Sequence, residues 1–429
     1  MVEKGTQIIL NNSKAIGQIS YLIGAGSQGE IYNAIFQDKA YAAKIYFSTS
    51  NIDNQEQIIS KLIQIRAPSD SFLWPIDSFY LQGCSFGYIM PLRESRFRSL
   101  NGLLKKSYDP TFQTLIQVSI NLVNSFWLLH SQGLCYRDIS LSNIFIDPNN
   151  GDIQICDNDN VFFDTHEQSD VFGTYRFMAP EIITGKSNPN TNTDLFSLSV
   201  LLFYIFYMHH PLEGQKEYEI HCFDEPAMKK LYGTHPIYIF DTDDDSNRPI
   251  NNYQDNAILF HSIYPSFFKR IFSDAFMKGI FEPNKRIRET MWRKKLFQLR
   301  DSLFPCPWCN TENFYDPDSE KKYFCWHCKK EIRPDFVLHF DKHYFPLYLG
   351  KTIYSDFFKE NTNSKTDDAI GIVVDHPSKP NTFGLKNLSD TAWIIFSSSG
   401  SSLSLAPGKT FMLKKGAKFM LYSKEGIII

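Results

Sequence analysis

Short apolar runs broken by turn residues dominate positions 6 to 92. The runs 17–26 (GQISYLIGAG), 29–37, 39–47 and 84–92 read as strands joined by short turns. Between them, 54–65 (NQEQIISKLIQI) repeats its apolar residues every three to four positions and predicts one helix. From about 110 the period becomes helical throughout, most clearly over 111–133. The run 195–208 (LFSLSVLLFYIFYM) is apolar on every side and predicts a buried helix, and it is too short to span a membrane. Residues 304–334 form a separate stretch with paired cysteines. From 337 onward, short strand-like runs alternate with Gly, Ser, Asn and Pro turns (345–353, 369–374, 392–399, 402–408, 410–416, 418–423), which predicts a small sandwich or barrel. No internal repeat is visible.

At 429 residues the chain calls for two or three domains, and its 43% apolar content fits a globular protein with a sizeable core. A net charge of -3 gives no drive toward nucleic acid or membrane, and neither is expected as a partner. The N-terminus lacks a basic segment followed by an apolar one, so no signal peptide is expected and the location should be cytoplasmic. Of eight cysteines, Cys84, Cys135, Cys156 and Cys222 stand alone, while the others form two pairs. That pattern points to a metal site in a reducing compartment.

Several motifs carry chemistry. Gly24, Gly26 and Gly29 form G-x-G-x-x-G between two strands, where the backbone could approach phosphates closely or simply turn a hairpin. A dinucleotide fold would need a helix next, and 30–36 reads as a strand. Lys44 lies in the apolar strand after that turn, either as a strand-edge residue or within reach of the α- and β-phosphates of ATP. Glu56, in the following helix, is the natural acidic partner to hold its ammonium, with Asp53 as the alternative. In CYRDISLSNIFID (135–147), Asp138 could accept a proton from an attacking hydroxyl and Asn143 could offer a carbonyl oxygen to Mg²⁺. Taken alone, that stretch would be an Asp/Asn-rich turn. Asp157 follows the next short strand, with room for a hairpin between.

These landmarks, continued by Ala179-Pro180-Glu181, Asp194 in the buried helix and Arg286, stand in one order over about 15–300. In that order they resemble the eukaryotic-type Ser/Thr protein kinase family. The resemblance implies an α+β, bilobal protein-kinase fold over 1–303, with an N-lobe to about 92 and a C-lobe over 93–303. It implies ATP with Mg²⁺ (or Mn²⁺) as cofactors, Asp138 as base, and Lys44, paired with Glu56, on the phosphates. Asn143 and Asp157 become the metal ligands. It makes Met90 the gatekeeper, with the carbonyl of Pro91 and the N–H of Arg93 reading adenine. Arg286 is expected to pair with Glu181. Thr174 matches the Thr that Ser/Thr kinases place beside the base. Arg137 could receive an activation-loop phosphate from Thr165 or Ser169, which are otherwise ordinary polar loop residues.

CPWC (306–309) and CWHC (325–328) bring Cys306, Cys309, Cys325 and Cys328 to the spacing of a zinc ribbon over 304–334. Four thiolates close the coordination of Zn²⁺, so the metal would be structural and His327 exposed. The segments HPIYIFDTDDDSNRPIN and FKRIFSDAFMKGIFEPNKRIRETMW, with the ribbon and the β-rich tail, resemble the kinase of the bacterial TerY phosphorylation triad, linked to tellurite resistance. That resemblance implies protein substrates, autophosphorylation and two partners: a metal-dependent Ser/Thr phosphatase and a von Willebrand factor A-domain protein. The tail over 335–429, an all-β sandwich-like domain, is similar to forkhead-associated sandwiches. The Gly-Arg and Ser-x-x-His elements that read phosphothreonine are not evident, since Gly350 is followed by Lys351. Docking on a partner or on the kinase itself is the expected use.

Three departures bear on activity. Tyr136 replaces a His at a packing position. Ser140 stands where such kinases carry a Lys that steadies the transferred phosphate. In DND (157–159), Asn158 and Asp159 replace the Phe plug and the Gly hinge, so a site less able to swing its metal Asp outward is expected. The expected function is a Ser/Thr kinase, with a nucleotide-binding pseudokinase scaffold as the alternative.

Overall fold

The computed structural model describes residues 2–47, 52–81, 85–164, 173–318, 322–358, 368–380, 382–396 and 401–429, excluding the side chains of 52 and 53. Thr165, Ser169 and the side chain of Asp53 therefore lie outside the described residues. The chain forms two compact units: Met1–Pro110 with Gln117–Gln254 and Asp274–Glu289, and Thr111–Ile116 with Asp255–Ser273 and Thr290–Ile429.

The first unit begins with a six-stranded antiparallel sheet. Its spatial order is Gln7–Ile9, Ile16–Ala25, Gly29–Phe36, Lys39–Tyr46, Ser85–Pro91 and Asp77–Leu81. Four of these match the predicted runs. Gln7–Ile9 and Asp77–Leu81 were not predicted; both are short outer strands, each paired with the strand that follows it in sequence. One face of the sheet closes on Ile8, Ile19, Tyr32, Ala34, Ile45, Phe79 and Ile89. Helix Ile52–Gln64 buries Ile58, Ile59 and Leu62. Its end is held by the Trp74 indole, which donates to the carbonyls of Leu62 and Ile65 at 2.9 and 3.1 Å.

Two helices organise the rest of this unit. Helix Phe112–Ser131, which belongs to this unit from Gln117 onward, carries the period seen in the sequence. Thr191–Tyr207 is buried from Thr193 to its end. It starts at a capping box, in which Asn190 accepts from the backbone of Asn192 and Thr193 while Thr193 answers the Asn190 N–H. Met208 ends it in the left-handed region, at φ 52°. Strands Ile144–Ile146 and Ile153–Ile155 form a hairpin whose open end pairs Ile144 with Ile155. The residues just outside that pair are Asn143 and Cys156, joined by a 2.9 Å backbone hydrogen bond. The hairpin thus delivers Asn143 and Asp157 to one place.

The second unit holds helices Asp255–Ile263 and Ser266–Ser273, the hairpin of Leu303–Pro305 with Glu312–Phe314, the paired cysteines and a β-sandwich. One sheet has six strands, ordered His343–Leu347, Phe336–Phe340, Lys424–Ile428, Lys418–Leu421, Trp393–Phe396 and Ser402–Leu405. The other has four, ordered Thr352–Tyr354, Ala369–Asp375, Phe383–Asn387 and Thr410–Met412. Trp393, Phe345, Phe419 and Leu421 from the first sheet share a core with Ile353, Val373 and Leu385 from the second. The expected boundary at 303 falls inside this unit. The reason is an aromatic cluster, with Phe112 5.9 Å from Tyr264 and 5.1 Å from Phe314 between ring centroids. Residues from three distant parts of the chain thereby close one core.

Candidate active site and metal centre

The loop after strand Leu134–Cys135 is built around a buried carboxylate. Asp194 accepts the backbone N–H of Tyr136 at 2.5 Å and of Arg137 at 3.0 Å. Arg137 sits at φ 71°, a conformation costly for a long side chain, and these two bonds help hold it there. His130 braces the same carboxylate at 3.1 Å and meets Glu289 through its other ring nitrogen. Burial opposes a charge on that imidazole, but hydrogen bonds to Asp194 and Glu289 outweigh it and lift its pKa to about 9. Neither His130 nor Glu289 was picked out in the sequence. Tyr136 is fully buried, edge-on to Phe126 at 5.6 Å, with its hydroxyl on the Cys156 carbonyl. It fills the position as packing, as expected.

Asp138 is tied down on both oxygens. Its Oδ1 accepts from the Thr174 backbone N–H at 2.8 Å and the Thr174 hydroxyl at 2.7 Å. Its Oδ2 accepts the Asn143 amide at 3.0 Å, and the same amide reaches the Asp138 carbonyl at 2.9 Å. The amide nitrogen is thus engaged, and the Asn143 oxygen accepts from the Ser142 hydroxyl at 3.3 Å with a second lone pair left over, so it could hold a cation. Gly173 makes this approach possible: it sits at φ 97°, and a Cβ there would lie 2.7 Å from the Arg137 carbonyl. Ser140 is buried and shares a 2.8 Å hydrogen bond with Ser142.

Lys44 departs from the sequence expectation. Its ammonium lies 2.7 Å from Asp159 Oδ2 and 3.6 Å from Asp157 Oδ1. Burial works against the charge, but the carboxylates of Asp159 and Asp157 outweigh it and hold the amine above an ordinary lysine. Glu56 is not its partner: that carboxylate accepts from the Tyr80 hydroxyl. A carboxylate one turn after a strand end reaches Lys44, while the helix places Glu56 toward the outer strand Asp77–Leu81. Asp159 was read only as a lost glycine. A charge gained two residues from the expected metal Asp, near a buried Lys, was the available signal.

Asp157 itself adopts φ 49° and leads into the short 3-10 turn Asn158–Asn160. Burial, with Asp159 and Asp138 nearby, raises its carboxyl pKa against the pull of Lys44. Asn158 is fully buried and donates to the carbonyls of Leu73 and Ile155 at 2.9 and 3.0 Å. The lost apolar plug is thus replaced by a polar anchor. Arg137 donates to the Asn160 carbonyl at 2.7 Å and stacks over Phe162 at 4.9 Å.

The remaining expected residues surround this centre. Gly29 is required by the fold, since a Cβ there would lie 2.2 Å from the Ile45 carbonyl. Gly24 has no neighbour within 4 Å of that position and Gly26 only one, at 4.0 Å. Packing within the chain therefore does not dictate glycine at those two sites. Met90 is buried and pairs with Ala42 next to Pro91, which ends the strand. Arg93 stacks on Phe145 at 4.2 Å and donates to the Phe97 carbonyl at 2.8 Å. Arg286 and Glu181 form the expected pair through two parallel 2.7 Å hydrogen bonds.

The four paired cysteines converge. Their sulfurs all lie within 4.8 Å of one another, with Cys306–Cys328 at 3.7 Å and Cys309–Cys325 at 3.6 Å. Zn–S bonds of ~2.3 Å in a tetrahedron put sulfurs roughly 3.8 Å apart, whereas a disulfide needs ~2.0 Å. Each pair is wrapped by a matching backbone turn, Asn310 N–H to Cys306 O and Lys329 N–H to Cys325 O, both 2.9 Å. Asn310 and Lys329 take φ 59° and 60° to close them. The donor set fits Zn²⁺, and His327 points away as an exposed residue.

Comparison with known proteins agrees with this geometry. The family described as protein kinase domain matches residues 18–291. A probable serine/threonine-protein kinase of Dictyostelium discoideum is 28% identical over 225 residues, covering 50% of this chain and 13% of that relative. A dual serine/threonine and tyrosine protein kinase of Homo sapiens is 31% identical over 134 residues, covering 30% of this chain and 13% of its own length. Its counterpart in Gallus gallus is likewise 31% identical over 134 residues, or 30% of this chain and 13% of that one. The chain thus spans a small fraction of the curated relatives it matches. Among the described residues, no helix is long and apolar enough to cross a membrane.

Proposed function

The chain belongs to the protein kinase domain family, and from that premise we propose that it is a Ser/Thr protein kinase using Mg-ATP. One observation carries the reading: Asp138, fixed on both oxygens by Thr174 and Asn143, shares a site with Asp157 and Lys44. Mg-ATP, when bound, supplies the phosphoryl group and the charge that neutralises its oxygens. The chain's own residues do the rest. Asp138 accepts the proton of a substrate hydroxyl, Lys44 steadies phosphates, and Asn143 and Asp157 hold the cation. Gly24, Gly26 and Gly29 admit the phosphates, while Met90, Pro91 and Arg93 line the adenine position. Thr174 beside Asp138 favours Ser and Thr as acceptors, the chain itself among them.

Ser140 supports a slower enzyme, and a nucleotide-binding scaffold is the second reading it favours, because a serine at that position brings no charge to the transferred phosphate. Structural Zn²⁺ in the cysteine cluster is part of the proposal, supported by the sulfur spacing. We place the protein in a bacterial signalling system with a metal-dependent Ser/Thr phosphatase and a von Willebrand factor A-domain protein. A kinase domain followed by a cysteine knuckle and a β-sandwich supports that assignment. The test is transfer of labelled phosphate from Mg-ATP by the purified chain, with Asp138→Asn as control. Transfer lost in Asp138→Asn is the expected result. Nucleotide-induced thermal stabilisation without transfer, to itself or to either partner, would leave only the scaffold.

A further inference from the structure

We propose that Asp159 is the residue that positions Lys44, and that the phosphate grip is therefore assembled without the helix Ile52–Gln64. The proposal rests on the phosphotransfer reading of the site. Lys44 and Tyr46 lie two residues apart on strand Lys39–Tyr46, so both side chains leave the same face. Both converge on one atom: Asp159 Oδ2 accepts from the Lys44 ammonium at 2.7 Å and from the Tyr46 hydroxyl at 2.5 Å. The pair is dry, with the Lys44 side chain 8% and the Asp159 side chain 1% exposed. A surface pair would be loosened by water and salt, but a buried one with a second hydrogen bond fixes geometry.

The turn that carries this carboxylate is itself held from behind. The turn Asn158–Asn160 is pinned where the Asn158 amide donates to Leu73 and Ile155, the latter the last residue of strand Ile153–Ile155. Tyr46 is locked by its stacked contact with Phe86 at 6.0 Å. Asp157, the expected metal ligand, immediately precedes this turn, and its Oδ1 lies 3.6 Å from the same ammonium. A single short segment thus sets both the phosphate-binding amine and the cation ligand. Glu56, the only acidic residue of the helix whose side chain is described, is occupied by Tyr80. Among the described residues no hydrogen bond or ion pair joins Lys44 to that helix, which packs instead on the turn Asn158–Asn160. A helix-gated lysine is replaced by one wired to the metal-binding turn.

The experiment compares Asp159→Asn, Tyr46→Phe and Glu56→Gln in the full chain. Three readouts are taken: KM for ATP, kcat, and the rise in melting temperature produced by Mg-ADP. Asp159→Asn is expected to raise the ATP KM about tenfold, with the protein-substrate KM unmoved, and to cut the Mg-ADP stabilisation. Tyr46→Phe keeps the ring and removes only the hydroxyl, so it folds and shifts both readouts severalfold in the same direction. An Asp159→Asn enzyme with unchanged or improved ATP use would overturn the proposal, because the contact would then restrain Lys44 and not serve it. A Glu56→Gln effect as large as that of Asp159→Asn would overturn it equally. Should the wild type bind Mg-ADP but transfer nothing, the kinase reading fails while the stabilisation series still decides the role of Asp159.

Discussion

Among the described residues two lysines are buried, one in each unit, and they are treated in opposite ways. Lys44 faces two carboxylates, and its pKa is raised. Lys351 donates to three backbone carbonyls, of Arg300, Asp301 and Leu303, at 3.2, 2.9 and 3.3 Å. Burial pushes its pKa down to about 8, because nearby Asp301 restores only part of what is lost. That carboxylate is itself engaged by His343 at 2.8 Å and Arg300 at 3.3 Å. Carbonyl dipoles at the end of helix Glu289–Asp301 satisfy the donors of an ammonium but return less of its lost hydration than a full charge does. The first arrangement keeps a cation ready for an anion. The second is a clamp, with all three ammonium donors used inside the protein.

The sharpest test of this contrast is to remove each cation. Lys44→Met should lower phosphate transfer about 10³-fold, since a charge meant for the reacting phosphates is gone. Lys351→Met should leave the rate per folded molecule unaltered and lower only the melting temperature. Labelled-phosphate transfer normalised to folded protein separates the two, and equal rate losses would abolish the distinction.

The metal comes next. Chelation, or Cys306→Ser, should lower the melting temperature of the second unit by about 10 °C or more. Stabilisation of the chain by Mg-ADP, added after the chelator is removed, should persist. Calorimetry with and without chelator reads both, and an unchanged transition would remove zinc from the account.

Opposite pH slopes follow for the two units. The folded His130 pKa of about 9 lies above the usual 6.5, so its stabilising contribution is complete below 6.5 and lost as pH rises through 9. Lys351, depressed to about 8 from 10.5, gives the reverse: stability is lost as pH falls through 8 and is fully present above 10.5. Each effect is on the order of 3 kcal/mol at most. Hydrogen exchange, corrected for intrinsic rate and read separately over 195–207 and 338–347, should show the first region weakening from pH 7 to 9 and the second strengthening from pH 8 to 10. Parallel slopes would refute the contrast. The smallest effect is Tyr136→Phe, which removes one hydrogen bond to the Cys156 carbonyl and should cost about 1 kcal/mol, measured by denaturant unfolding.

Much of the site was legible because its parts are local. Asp138 and Asn143 stand on one loop, and Asp157 follows two short strands later, so a single hairpin joins them. The cysteine pairs were readable for the same reason, since each C-x-x-C turn presents two sulfurs before any tertiary packing. Glu56 and Asp159 mark the limit. Glu56, 12 residues away, was assigned to Lys44, while Asp159, 115 residues away, was read only as a lost glycine. His130 and Glu289 were missed because the buried carboxylate they help brace, Asp194, joins segments 64 residues apart and more.

The sequence by itself determined where four strands of the first sheet and the long helices run, which four thiols form one cluster, and the acid, amide and amine at the centre of the site. Those depend on periodicity and short spacings, which act within a few residues. Only the tertiary structure decided which carboxylate holds Lys44, that Asn158 anchors the turn after Asp157, and that Phe112, Tyr264 and Phe314 close a core across the expected boundary. These are choices among chemically equivalent partners, made by which side chains burial brings within hydrogen-bonding or van der Waals reach.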